Sequence, residues 1–189
     1  VADSGLIALD TSGQRELPLK FHTESGKDKF ALGAGATSIS VPLLWTDPAT
    51  GLSVRRTLTL RRGSFVLEQN DALVNGGRQA QQLYPFVRLS RVAPPAPPKH
   101  SFVTNPDSFS FVGSAWFTPE HNFQKTPFSD YSDESPPSSD SAGGWIAMLQ
   151  HHFVTAWVPT VSEKQRLQAS VGTHAGQPLY RLRSIASPR

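Results

Sequence analysis

The sequence predicts an all-β sandwich, and three observations carry that expectation. Short apolar-polar alternations recur along the chain, clusters of Gly, Pro, Asn and Asp separate them, and no stretch signals a helix longer than about three turns. The chain has 189 residues, and such a length suffices for one domain that buries roughly two-thirds of its unfolded surface. It contains no Cys, so disulfides, thiol catalysis and Cys-ligated metals are excluded together and stability must come from packing.

The clearest strand signal lies in residues 38–63. Ile39, Val41, Leu43 and Trp45 alternate with Ser38, Ser40, Pro42 and Leu44, the pattern of a half-buried strand. Asp47-Pro-Ala-Thr-Gly51 follows with turn chemistry, Pro setting φ and Gly able to take a positive φ. A hairpin partner is expected over 52–60, with Val54, Leu58 and Leu60 on one face and Arg55, Thr57, Thr59 and Arg61 on the other. Arg56 falls on the apolar side near the strand's start, where its stem is expected to snorkel past the rim. Arg62-Gly63 ends this strand, and 65–74 is a further β-rich stretch bounded by Asn75-Gly-Gly77. Residues 82–92 predict the next strand, and Pro85 within it argues for an edge or a bulge.

Ala93-Pro-Pro-Ala-Pro-Pro98 favours polyproline II and reads as a connector inside one domain. Residues 108–117 alternate again, Phe109, Phe111, Gly113, Ala115 and Phe117 on one face against Val112 and Trp116 on the other; two apolar faces suit a strand between packed layers. Residues 129–144 are rich in Ser, Asp, Pro and Gly, carry Asp130, Asp133, Glu134 and Asp140, and read as a mobile acidic loop. The run 145–159 is the most apolar. Ile146, Leu149, Phe153 and Trp157 fit a helical spacing, but the β-formers Phe153, Val154, Thr155, Trp157 and Val158, with Gly143-Gly144 and Pro159 at the borders, favour two strands broken near Gln150-His151. Residues 179–185 alternate like a strand, for which no partner is expected downstream.

Composition excludes several functions. Eighteen Lys and Arg stand against 15 Asp and Glu, charged residues are 17%, and the net charge is +3, so no dense basic face for nucleic acid is expected. No apolar run approaches the roughly 18 to 20 residues that cross a bilayer as a helix. His151 and His152 point to opposite faces of a strand and His22, His100, His121 and His174 are isolated, so no metal site is expected. No Gly-x-Ser-x-Gly elbow and no Gly-rich phosphate cradle is present. Asp133-Glu134 lies in a loop too loose to hold a reacting group. No catalytic residue and no cofactor is therefore expected. Arg55, Arg56, Arg61 and Arg62 form the densest basic cluster, read either as protection of a sheet edge or as a contact for anionic lipid headgroups. Trp45, Trp116, Trp145 and Trp157 sit on separate strands; most are expected in the core, with Trp116 the exception that lines a partner surface.

Three longer stretches carry a family resemblance. Gly143-Gly-Trp-Ile-Ala-Met-Leu-Gln-His-His-Phe-Val-Thr-Ala-Trp-Val-Pro159 resembles the signature of the large periplasmic domain of the Gram-negative membrane protein insertase YidC. Phe111-Val-Gly-Ser-Ala-Trp-Phe-Thr-Pro-Glu120 with Phe123, Lys125 and Phe128 agrees in order and spacing, as does Val41-Pro-Leu-Leu-Trp-Thr-Asp47 followed by Thr57-Leu-Thr-Leu-Arg-Arg-Gly63. The resemblance implies a twisted β-supersandwich, similar to galactose-mutarotase-like and carbohydrate-binding folds, with residues 1–189 a single domain truncated at both ends.

It also implies a location on the periplasmic side of the inner membrane, between a first transmembrane helix and the remaining ones, which are absent from this chain. The implied partners are the SecYEG translocon, its SecDF accessory and nascent inner-membrane proteins. The expected role is a non-catalytic docking surface in 109–159, with Trp116, Phe117, Phe123 and Phe128 as partner-binding residues. Two alternatives stand beside it. One is a cleft that binds an extended peptide or glycan, and the other is a mutarotase-like sugar enzyme, for which no catalytic motif is found.

Overall fold

Alternation along the chain is realised as strands almost everywhere. The structure, a computed structural model, describes residues 1–10, 13–92, 111–131, 140–150, 153–159 and 164–189. These residues form fourteen strands, one 3-10 turn and no α-helix. They divide into two compact units, one of Val1–Glu16 and Leu83–Arg189, the other of Leu17–Gln82.

The chain opens in the first unit with β1 (Ala2–Asp10) and β2 (Gly13–Glu16). The second unit then runs through β3 (His22–Thr23), β4 (Ser38–Thr46), β5 (Leu52–Arg61) and β6 (Leu67–Asn75), an antiparallel sheet in that order. The β4–β5 turn follows its chemistry: Asp47 accepts from the Ala49 amide at 3.0 Å and the Thr50 hydroxyl at 2.8 Å, and Gly51 takes φ 75°. On β5, Leu52 and Val54 are buried, Val54 directly across from Trp45, but Leu60 at the far end of the expected apolar face is exposed. The fourth strand of this sheet starts later than its composition suggests. Phe65 and Val66 precede β6 and are exposed, so only 67–75 pairs with β5.

The first unit resumes with β7 (Gln82–Val92), β8 (Val112–Thr118), β9 (Asn122–Pro127), a 3-10 turn at Phe128–Asp130, β10 (Asp140–Ala142), β11 (Trp145–Gln150), β12 (Phe153–Trp157), β13 (Lys164–His174) and β14 (Gln177–Ala186). A six-stranded sheet has the order β10-β13-β14-β7-β1-β2, and a four-stranded sheet the order β12-β11-β8-β9. Their facing sides enclose one core, with Leu89, Leu167 and Leu182 from the first sheet and Trp116, Ile146 and Met148 from the second. Two sheets packed over an apolar layer make the β-sandwich that the alternation predicts.

Several expectations change at this level. β7 is an interior strand, not an edge. Its ladder with β14 runs from Phe86 to Val92, so Pro85 lies outside it and its missing N–H is not needed there. Residues 179–185 do have partners, β13 on one side and the much earlier β7 on the other. The acidic stretch 129–144 is structured at both ends: Tyr131 is buried, and Asp140–Ala142 pairs with β13. Asp133, Glu134, the Pro-rich 93–98 and His151-His152 lie outside the described residues.

Candidate functional site

The four-stranded sheet of the first unit carries the residues expected to meet a partner, and its register sorts them onto two faces. Trp116 stands opposite Ile146, which stands opposite Trp157; this row faces the core. The neighbouring row is Trp145, Phe117 and Phe123, directly across from one another on β11, β8 and β9 and on the opposite face. Trp145 stacks on Phe117 with ring centroids 6.4 Å apart and an interplanar angle of 15°, and meets Phe123 at 5.9 Å.

Two residues expected at a partner surface are therefore core residues. Trp116 is 5% exposed and Phe128 is 7% exposed. Phe128 stacks on Tyr180 at 4.4 Å and meets Tyr131 edge-on at 6.0 Å. For Trp116 the physical reason is that β8 is apolar on both faces and the face with the larger ring turns inward; Phe128 lies off the sheet, in the 3-10 turn after β9, and packs into the same core. Phe123, by contrast, is 53% exposed, with Phe117 and Trp145 half-buried beside it. The adjoining edge strand β12 leaves Phe153 and Val154 exposed. Trp145 belongs to this surface, and the motif Gly143-Gly-Trp145 was the available signal for it.

The two glycines explain how Trp145 arrives there. Gly143 and Gly144 both take positive φ, 77° and 113°, and a Cβ on Gly144 would collide with the Phe117 carbonyl. The preceding segment is anchored by polar groups. Gln165 donates to the Gly143 carbonyl at 2.8 Å and accepts from Ser184, while Ser141 donates to Glu120 at 2.5 Å. Tyr131 donates to the Arg181 carbonyl at 2.8 Å, and burial pushes its phenol pKa upward.

The arginine cluster does not form one patch. Arg55 donates to Glu24 at 2.5 Å, Arg61 to Glu68 at 2.8 Å, and Arg62 to the Ala36 and Gly33 carbonyls at 3.0 Å. Arg56 sits on the opposite face from Arg55 and Arg61, paired with Asp71 at 2.7 Å and 4.5 Å from the Phe21 ring centroid. It does not snorkel, because a carboxylate directly across on β6 receives it. Nor is β5 an edge strand, since β4 and β6 flank it.

These bonds set a pH dependence. The hydrogen bond from Arg55 holds the Glu24 carboxyl below its ordinary 4.5, that from Arg61 does the same for Glu68, and the Ser141 hydroxyl does so for Glu120. A carboxyl whose pKa is lower in the folded state contributes stability above its unfolded pKa, and loses it as pH falls through the folded one. The thermal midpoint is expected to be level between about pH 7 and pH 5 and to fall on further acidification. A midpoint unchanged on acidification to about pH 3 would show that these bonds do not differ between folded and unfolded chains.

The same unit contains a cavity of about 1190 Å³, lined by the polar side of the six-stranded sheet and by Leu89, Met148 and Leu167. Among the described residues no group of three or more His, Asp and Glu is placed to hold a metal.

Comparison with known proteins agrees with this architecture. The family model described as the YidC periplasmic domain matches residues 1–188. A membrane protein insertase YidC of Xanthomonas campestris pv. campestris is 40% identical over 151 residues, covering 80% of this chain and 25% of that protein. The membrane protein insertase YidC of Xylella fastidiosa is 42% identical over 131 residues, covering 69% of this chain and 22% of that protein. The chain thus spans about a quarter of the length of the curated relatives it matches. With the match running over nearly every residue, the chain belongs to the family of YidC periplasmic domains.

Proposed function

We propose that the chain serves a membrane protein insertase as a non-catalytic docking domain, on the periplasmic side of the inner membrane. The observation that supports this reading is the aromatic row Phe123, Phe117 and Trp145 on the outer side of the four-stranded sheet, open to solvent at Phe123, with exposed Val154 on the same face. Aromatic anchors with rigid neighbours are the residues that dominate protein interfaces. The partners this reading names are SecDF and SecYEG, with nascent inner-membrane proteins as clients of the whole insertase.

The test is retention of SecDF by the full-length insertase carrying Phe123→Ser. Retention is expected to fall about tenfold, as for loss of one interface anchor. Thermal unfolding should stay within about 0.5 kcal/mol of the parent, as for an exposed site. Undiminished SecDF retention would remove the aromatic row from the interface. The cavity supports a second reading, a cleft for an extended peptide or glycan. Calorimetric titration with both ligand classes separates that reading from a surface that only docks proteins.

A further inference from the structure

On the six-stranded sheet, residues directly opposite across antiparallel strands share a face, so register alone places two polar rows side by side. One row is Gln168, Arg183 and Arg88; the next is Ser170, Arg181 and Ser90. The first row is neutralised from within. Arg88 donates to Asp3 and to Glu16 at 3.0 Å, and Arg183 donates to Glu16 at 3.1 Å and to Gln168 at 2.7 Å.

The second row has no such balance. Arg181 is half-buried, and among the described residues no carboxylate meets its guanidinium. That group lies where a Cβ on Gly172 would be. Gly172 has no positive φ, so glycine at this position supplies room for the guanidinium and not conformational freedom. A cation held partly out of water without a counter-ion is costly. Drawn toward β13 over Gly172, on the strand and face of Ser170, the Arg181 fork is a donor set suited to a carboxylate, which it binds through two parallel bonds.

Resting on the cleft reading above, we propose that Arg181, with Ser170 beside it on β13, forms the anion-binding point of a site for an acidic peptide segment lying in the cavity. The volume of about 1190 Å³ exceeds what a lone ion needs and suits an extended ligand. This site uses none of the aromatic row, so the two proposals fail separately.

The experiment titrates the 189-residue chain with a fluorescein-labelled octapeptide of alternating Glu and Ser, and with its Gln-Ser counterpart. Saturable binding of the Glu peptide is expected, with the Gln peptide weaker by about tenfold or more, as for loss of one charge-assisted bidentate contact. Arg181→Gln should lose about the same factor. Gly172→Ala should lose binding too while changing no charge, since it displaces only the mobile end of a side chain. Phe123→Ser should bind the peptide normally, and Arg181→Gln should keep SecDF retention. Arg181→Lys, which keeps the charge and loses the fork, replaces the Gln variant if that one does not fold. Equal affinity for the two peptides, or full binding by the Arg181 variant, overturns the proposal. So does Arg181-dependent binding to phosphatidylglycerol vesicles without binding to the peptide, which would assign the site to lipid.

Discussion

Truncating Trp116 to alanine should lower the stability of the first unit by about 3 to 5 kcal/mol, the cost of removing a large buried aromatic. Its side chain is in the core with Leu89, Leu182 and Ile146, and neighbours on two sheets border the space it fills. The indole N–H makes no hydrogen bond, so the loss is one of packing alone. Trp116→Phe keeps most of the apolar volume and sheds the unsatisfied donor, and should cost well under half as much. Urea unfolding of the parent and both variants measures the series. Any loss of partner binding in Trp116→Ala then follows from unfolding, whereas the same loss in Phe123→Ser does not. Parent-like stability of Trp116→Ala would place its indole outside the core and return it to the partner surface.

The contrast between Trp116 and Phe123 also marks where sequence pattern stops being informative. Alternation with turn residues at the borders is enough for β4, β5 and β7, whereas β11 and β12 also fit a helical spacing and are told from a helix by their β-formers and their Gly and Pro borders. On β8 both faces are apolar, and period alone cannot say which layer becomes the core. β13 was not legible: Leu167, Ala169 and Val171 alternate in Lys164–His174, but Gln, Ser, Gly and Thr surround them and dilute the signal. The strand at 179–185 has no partner downstream in the sequence, because one of its partners, β7, lies about ninety residues upstream. Arg181 had no reading at all, since a guanidinium that meets no carboxylate among the described residues shows itself only in three dimensions.

Replacing Asp71 with alanine should destabilise the second unit by about 3 kcal/mol, the cost of leaving a buried charge without its partner. Arg56 and Asp71 stand directly opposite on β5 and β6, joined by two parallel bonds of 2.8 and 2.7 Å, with side chains 11% and 24% exposed. Gln69 donates to the same carboxylate at 3.1 Å, so losing Asp71 removes that bond as well. The double replacement Arg56→Met with Asp71→Leu removes both charges from the same apolar row and should recover most of the loss, because neither group then needs to be desolvated unpaired. The recovery separates a desolvated pair from a surface one: breaking exposed pairs such as Arg61 with Glu68 should change stability little and show no such rescue. If Asp71→Ala unfolds at the same urea concentration as the parent, Arg56 reaches water after all, and its stem behaves as its place in the sequence suggested.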